Sequence, residues 1–303
     1  MTSTQNDWPP LPYADWQDTC TTLHMWSQVV GKIRLAQAPM VNHWWQVALY
    51  VTARGLTTSP MPHGAGLFQI DFDFIAHRLL ISLSDGRGDS FSLKPMSVSA
   101  FHADLIGRLR ALGIDVHIWT KPQEVVDAIP FEQDETHQSY DTARAHDFWR
   151  VLAQSHRVLE QFRSYFLGKC SPVHFFWGSF DLCVTRFSGR NAPPHPGGIP
   201  NLADWCVREA YSREVSSCGF WPGNGGYGKA SFYCYAYPAP EGFIDAPVTT
   251  PGALFDKTLG EFILPYDAVR DARDPDALLL SFLQETYAAA ADRAAWDRAA
   301  LER

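Results

Sequence analysis

The side chains best suited to chemistry are one histidine, two glutamates and three arginines, all in strand-like sequence beside aromatic rings. His174 lies in GKCSPVHFFWGSFDLCVTRFSGR (168–190), which also carries Arg186 and Arg190. Glu209 and Glu214 each follow an arginine, in the pairs Arg208-Glu209 and Arg213-Glu214. Arg54 ends an earlier apolar run, next to Gly55. Imidazole and carboxylate side chains can pass protons as acid and base. They are also a donor set for a divalent transition metal such as zinc, iron or manganese. A guanidinium fork grips a carboxylate or phosphate through two parallel hydrogen bonds. His174, Glu209 and Glu214 are therefore the catalytic candidates. Arg54, Arg186 and Arg190, with Trp177 and Trp221 as walls, are the ligand-binding candidates. No HxH, HExxH or CxxC spacing occurs, so the sequence leaves metal and cofactor open. The competing reading is a closed salt-bridge network, because charges inside a fold are usually paired.

Weaker candidates surround these. Asp71 and Asp73 stand two apart and share a strand face, where they could hold a cation or a proton, or simply meet solvent. Tyr233, Tyr235 and Tyr237 line one face of another strand, a wall suited to an apolar or sugar-like ligand. GNGGYGK (223–229) lacks the spacing of a phosphate loop and reads as a hairpin turn. The six cysteines read as reduced, buried thiols.

The elements that must position these groups fall into two similar series. Trp16, Cys20, Leu23, Trp26, Val30 and Ile33 recur at helical spacing after Asp15, a candidate N-cap. Strands are expected from Trp44 and over 67–74, 79–84 and 90–94, then a helix over 97–112 and a last strand over 114–119. Asp141 should cap a second helix ending near Gly168, followed by one long strand over 173–187. Strands at 231–237 and 259–264 and a helix over 276–296 complete the pattern. Each series has a Gly-Lys pair closing a helix, then a proline, a histidine, aromatics and a β-branched run ending at an arginine and a glycine: Gly31-Lys32 to Arg54-Gly55, and Gly168-Lys169 onward.

This predicts an α+β fold of two similar helix–antiparallel strands–helix halves packed as one compact unit, with an internal duplication. Residues 1–14 form an N-terminal arm, 15–119 the first half, 120–141 an acidic, proline-containing linker and 142–303 the second half. The irregular stretch 188–229 should cover a site between the halves.

Composition narrows the partners. With 46% apolar and 19% charged residues, the chain folds into a packed core. A formal charge of −8 disfavours nucleic acid and anionic membrane as partners. The N-terminus has neither the basic nor the apolar region of a secretory signal, and no apolar run is long enough to span a bilayer, so a cytoplasmic protein is expected.

The segments WPPLPYADW, NHWWQVALYVTARGL, SPVHFFWGSFDL, TRFSGR and GFWPG together resemble an uncharacterised bacterial domain-of-unknown-function family with no assigned activity. The resemblance covers nearly the whole chain. It implies a complete bacterial protein of this length and no particular catalytic residues. On the residues alone, the expected function is a small-molecule enzyme with its site between the halves. The alternative is a non-catalytic small-molecule-binding protein with an aromatic cleft.

Overall fold

The structure, a computed structural model, describes residues 7–303. The arm beyond residue 6 is anchored by Trp8, fully buried against Phe232 and Tyr266, and by the Tyr266 hydroxyl donating to Pro9 O at 2.6 Å.

The first half opens with helix α1 (Gln17–Gln37). Asp15 does not cap it. Asp15 ends a short 3-10 turn, and the N-cap position falls to Trp16, whose ring is buried against Phe148. Nor does Gly31-Lys32 end the helix, which runs on to Gln37 before Pro39. Gly31 has a packing role instead: a β-carbon there would lie 2.2 Å from the Trp177 ring.

The expected strand from Trp44 is largely a 3-10 segment, Asn42–Val47, in which His43 and Trp44 have φ of 59° and 61°. Tyr50–Val51 form the short strand β1, and Leu49 before it makes a single bridge to Phe175. An antiparallel sheet follows: β2 (Gly55–Thr57), β3 (Met61–His63), β4 (Gly66–Asp73), β5 (Arg78–Leu83) and β6 (Gly88–Ser92). Its order is β1-β2-β4-β5-β6, with β3 also on β4. Phe68, Ile70 and Phe72 are buried. Helix α2 (Val98–Ala111), capped by Ser97, packs Phe101 between Phe72 and Trp26. Residues 114–119, expected as a strand, join neither sheet.

Residues 120–141 also contribute to neither sheet. They lie packed along α1 and α2, with Phe131, Asp134 and Tyr140 buried. Gln28 reads this segment twice, accepting from Gln123 N and donating to Gln123 O, both at 2.8 Å.

Asp141 caps helix α3 (Thr142–Ser164), accepting from Arg144 N at 3.1 Å, as its sequence predicts. The long strand expected over 173–187 is two strands, β7 (His174–Phe176) and β8 (Asp181–Asn191). A tight turn separates them, with Phe180 at φ 64°. This reversal places His174 directly opposite Cys183. Helix α4 (Asp204–Ala210), β9 (Arg213–Trp221), β10 (Ser231–Tyr237), β11 (Leu254–Asp256), β12 (Glu261–Pro265), α5 (Tyr266–Arg270), α6 (Pro275–Arg293) and α7 (Arg298–Leu301) complete the chain.

The second sheet is antiparallel in the order β11-β12-β10-β9-β8-β7. Leu49 and Phe175 exchange both backbone hydrogen bonds, at 2.8 and 2.7 Å, where β1 meets β7. Each half thus runs helix, antiparallel sheet, helix, and the two sheets meet at that contact. One face of the second sheet buries Val184, Phe220 and Phe232 under α3 and α6. The other face carries Cys183, Tyr233 and Ile263. No helix covers that face fully, and a cavity opens over it.

Candidate functional site

The cavity encloses about 660 Å³. The second sheet forms its floor. Its walls are the 3-10 segment at 42–47, the strap at 119–124 and the cover formed by 199–211. The cover is shorter than the expected 188–229, because 188–191 and 213–221 are ladder residues of β8 and β9. It is tied down across the halves. Glu124 N donates to Pro200 O at 2.8 Å, Asn201 Nδ2 to Val125 O at 2.7 Å, and Trp44 Nε1 to Cys206 O at 3.0 Å.

Strand alternation sets the floor. His174, Cys183, Gly219, Tyr233 and Ile263 form one cross-strand row. Gly219 is the gap in that row. A β-carbon there would lie 2.7 Å from the Tyr233 hydroxyl, so its absence lets Tyr233 reach across β9 from β10. The hydroxyl donates to Asp181 Oδ2, and Ser179 Oγ donates to Asp181 Oδ1. Asp181 is buried, and burial raises its pKa despite these donors.

Glu124 is the second carboxyl of the site. Its backbone is left-handed, φ 60°, a conformation that a residue with a β-carbon adopts only when its surroundings impose it. The Pro200 carbonyl bond above helps to do so. Burial, with a smaller contribution from Asp181, pushes the Glu124 carboxyl up to about 7. No described residue donates a hydrogen bond to it. His43, Trp44, Glu124 and Asn201 all line the cavity at positive φ, and Phe180 sits in the turn beneath it. Backbone strain of this kind collects at functional sites.

His174 is fully buried in the cavity wall, and neither ring nitrogen has a partner. Burial, and then the Arg163 charge, hold its pKa down to about 3, so the ring is neutral. Trp177 also lines the cavity, its Nε1 donating to Val47 O at 2.9 Å. At the rim, His43 Nδ1 donates to Ala210 O at 3.0 Å, and Lys169 Nζ donates to His43 Nε2 at 2.7 Å. The Trp45 ring lies between the two histidines, 5.4 Å from His43 and 6.3 Å from His174.

The other candidates do not converge here. Glu209 accepts from His43 N at 3.2 Å but is not part of the cavity lining. Glu214 accepts from Ser188 Oγ and Arg190 Nε, both at 2.8 Å, beside a smaller cavity near the end of α6. Arg190 is half-exposed and also donates to Ala294 O and Ala295 O. Arg54 stands in solvent and pairs with Asp73 at 2.7 Å. Arg186 points to the opposite face of the second sheet, where its guanidinium lies 3.4 Å from the Phe162 ring centre and 4.3 Å from that of Tyr287. Trp221 lies outside the lining, its Nε1 donating to Asn224 Oδ1 at 2.6 Å. Arg54, Arg190 and Glu214 are thus paired locally, whereas Arg186 has no acidic partner, its Nε has no acceptor, and it is held among aromatic rings.

The weaker candidates are also resolved. Asp73 accepts from Ile75 N and Ala76 N besides Arg54, and Asp71 takes the Gln69 amide, so the two are satisfied separately. Tyr233 and Tyr235 face the cavity, while Tyr237 donates to Pro193 O outside it. Among the described residues no three His, Cys, Asp and Glu side chains come together to share a metal ion. The imidazole–carboxylate metal centre is therefore not formed by these residues.

Sequence reasoning passed over Glu124 and Asp181. Glu124 falls in the presumed linker, and Asp181 looked like one polar residue in a long strand. The available signal was Gly178-Ser179, small residues next to Asp181 that mark a turn.

The fold and site together define an α+β protein with two antiparallel sheets and an aromatic pocket holding two raised carboxyls. The chain belongs to a family of unknown function (DUF5996), whose model matches residues 8–303. No curated protein and no solved structure matches it. No helix of the described residues is long and apolar enough to cross a membrane.

Proposed function

We propose that this protein is a small-molecule enzyme that works by proton transfer in the aromatic pocket. Glu124 is the transferring group. The observation that carries this reading is its carboxyl: half-buried in the pocket lining, free of donors, raised by burial to about 7 and set on a strained backbone. A general acid or base is most effective when its pKa lies near the working pH. Asp181, held by Tyr233 and Ser179, stands near enough to Glu124 to add to the rise in its pKa. His174 remains neutral in the pocket wall, with both ring nitrogens buried and unpaired.

The test is a turnover screen on chromogenic esters, amides, glycosides and phosphoesters with wild type and Glu124→Gln. Turnover lost in Glu124→Gln supports the enzyme. The alternative, a binding protein, is favoured by the aromatic walls. Saturable binding without turnover on any of these substrates would select it.

Other parts of the reading stand on separate support. The common order of helix, antiparallel sheet and helix in both halves supports an internal duplication. Superposing 16–119 on 142–296 should match the strand after His43 with the strand after His174, and unrelated strand positions would remove the idea. Six free cysteines support a reducing, cytoplasmic setting, and the family resemblance supports a bacterial source. The negative charge supports a small molecule as partner over nucleic acid or membrane.

A further inference from the structure

The pocket wall sets two carboxyls together with no cationic side chain among its described residues: Glu124 and Asp181 line it, and no lysine or arginine does. A buried carboxylate without a cation is unfavourable, and two near each other are more so. Ser179 and Tyr233 relieve Asp181 in part. Nothing described relieves Glu124. An independent sign that a partner is missing is His174, fully buried in the same wall with both nitrogens unpaired.

The remaining walls favour positive charge. Five tryptophans, at 44, 45, 119, 177 and 205, line the cavity. Indole faces attract cations through their quadrupole. The protein's own lysines show this at the rim: Lys32 Nζ lies 4.6 Å from the Trp119 ring centre, and Lys169 Nζ lies 5.2 Å from that of Trp45. Neither lysine is a lining residue. A ligand carboxylate or phosphate would add a third negative group beside two carboxyls. A neutral ligand would leave both carboxyls dependent on bound protons.

We infer that the pocket takes a protonated organic amine, its ammonium between Glu124 and Asp181 and its carbon skeleton against the tryptophan faces. An ammonium supplies three donors where the Glu124 oxygens have none. The inference rests on reading the pocket as a small-molecule site and names the chemical class of its ligand.

Calorimetry on the full chain with three size-matched probes tests it: phenethylamine, 2-phenylethanol and phenylacetate. Phenethylamine should bind about tenfold or more tighter than the alcohol, with phenylacetate weakest. Glu124→Gln and Asp181→Asn should each lower amine affinity by about tenfold and leave the alcohol within about twofold. If Asp181→Asn does not fold, Glu124→Gln alone decides. Equal affinity for the three probes, preference for phenylacetate, or an amine preference that survives substitution overturns the inference. So does failure of phenethylamine and a panel of other amines to bind. Turnover of a neutral substrate lost in Glu124→Gln would in that event leave the proton-transfer reading intact. Amine binding without any turnover would remove only the enzyme.

Discussion

The Glu124 carboxyl lies against the backbone of Gly178 so closely that a β-carbon at residue 178 would be 2.0 Å from Glu124 Oε1. Residue 178 turns the chain from β7 into β8, and its carbonyl accepts from His24 Nε2 at 2.8 Å. One bare position therefore supports the turn under the floor and leaves space for the carboxyl above it.

Gly178→Ala should separate binding from stability. The clash is with the end of a flexible side chain, which can swing away, so unfolding free energy should change by less than about 1 kcal/mol. Glu124 would leave its place, and phenethylamine affinity should fall by about tenfold. Calorimetry and urea titration read the two effects, and unchanged affinity would detach Glu124 from the site.

Glu124→Gln should alter how stability depends on pH. The folded pKa of about 7 lies above the ordinary 4.5, so the folded state holds the proton more tightly than the unfolded chain. The stability this contributes is complete below about pH 4.5 and is lost as pH rises through about 7. The variant has no such loss. It should exceed wild type by on the order of 1–3 kcal/mol at pH 8, with the difference closing below pH 4.5. Parallel curves from denaturant titrations across that range would contradict the raised pKa.

His174→Leu should stabilise the protein. Removing a buried ring with no hydrogen-bond partner relieves a penalty of about 1 kcal/mol at pH 7. The ring's pKa falls from 6.5 to about 3 on folding. Its contribution is therefore present above 6.5 and lost as pH falls through about 3, so the variant should also lose less stability than wild type on acidification over that range. A destabilised variant with the wild-type acid slope would mean that the nitrogens are satisfied in solution.

Arg186→Ala should act as a core substitution. The side chain is buried, donates to Phe162 O and stacks on Phe162 and Tyr287, so its loss should destabilise by about 2–4 kcal/mol. Ligand affinity at the pocket, on the other face of the sheet, should stay within about twofold. A large affinity change with little loss of stability would return Arg186 to the site.

By itself, the sequence determined what depends on neighbouring residues. Helical spacing located α1, α2, α3 and α6, the Asp141 cap opened α3, and alternation located β4 and β10. It also marked His174 and Trp177 as residues of interest, because polar and aromatic groups near glycine stood out locally. The reversal at Gly178 went unseen, since apolar residues continue through it and alternation cannot register a turn. That reversal decided which face each later residue takes, sending Asp181 and Cys183 to the pocket and Arg186 to the core. Only the tertiary structure could bring Glu124, on a strap with no periodicity, beside Asp181, which is 57 positions away by residue number. The same folding paired Arg54, Arg190 and Glu214 with local partners and so took them out of the site. Burial and charge balance are properties of the packed chain, and here they decide which carboxyls hold protons and which are neutralised by arginine.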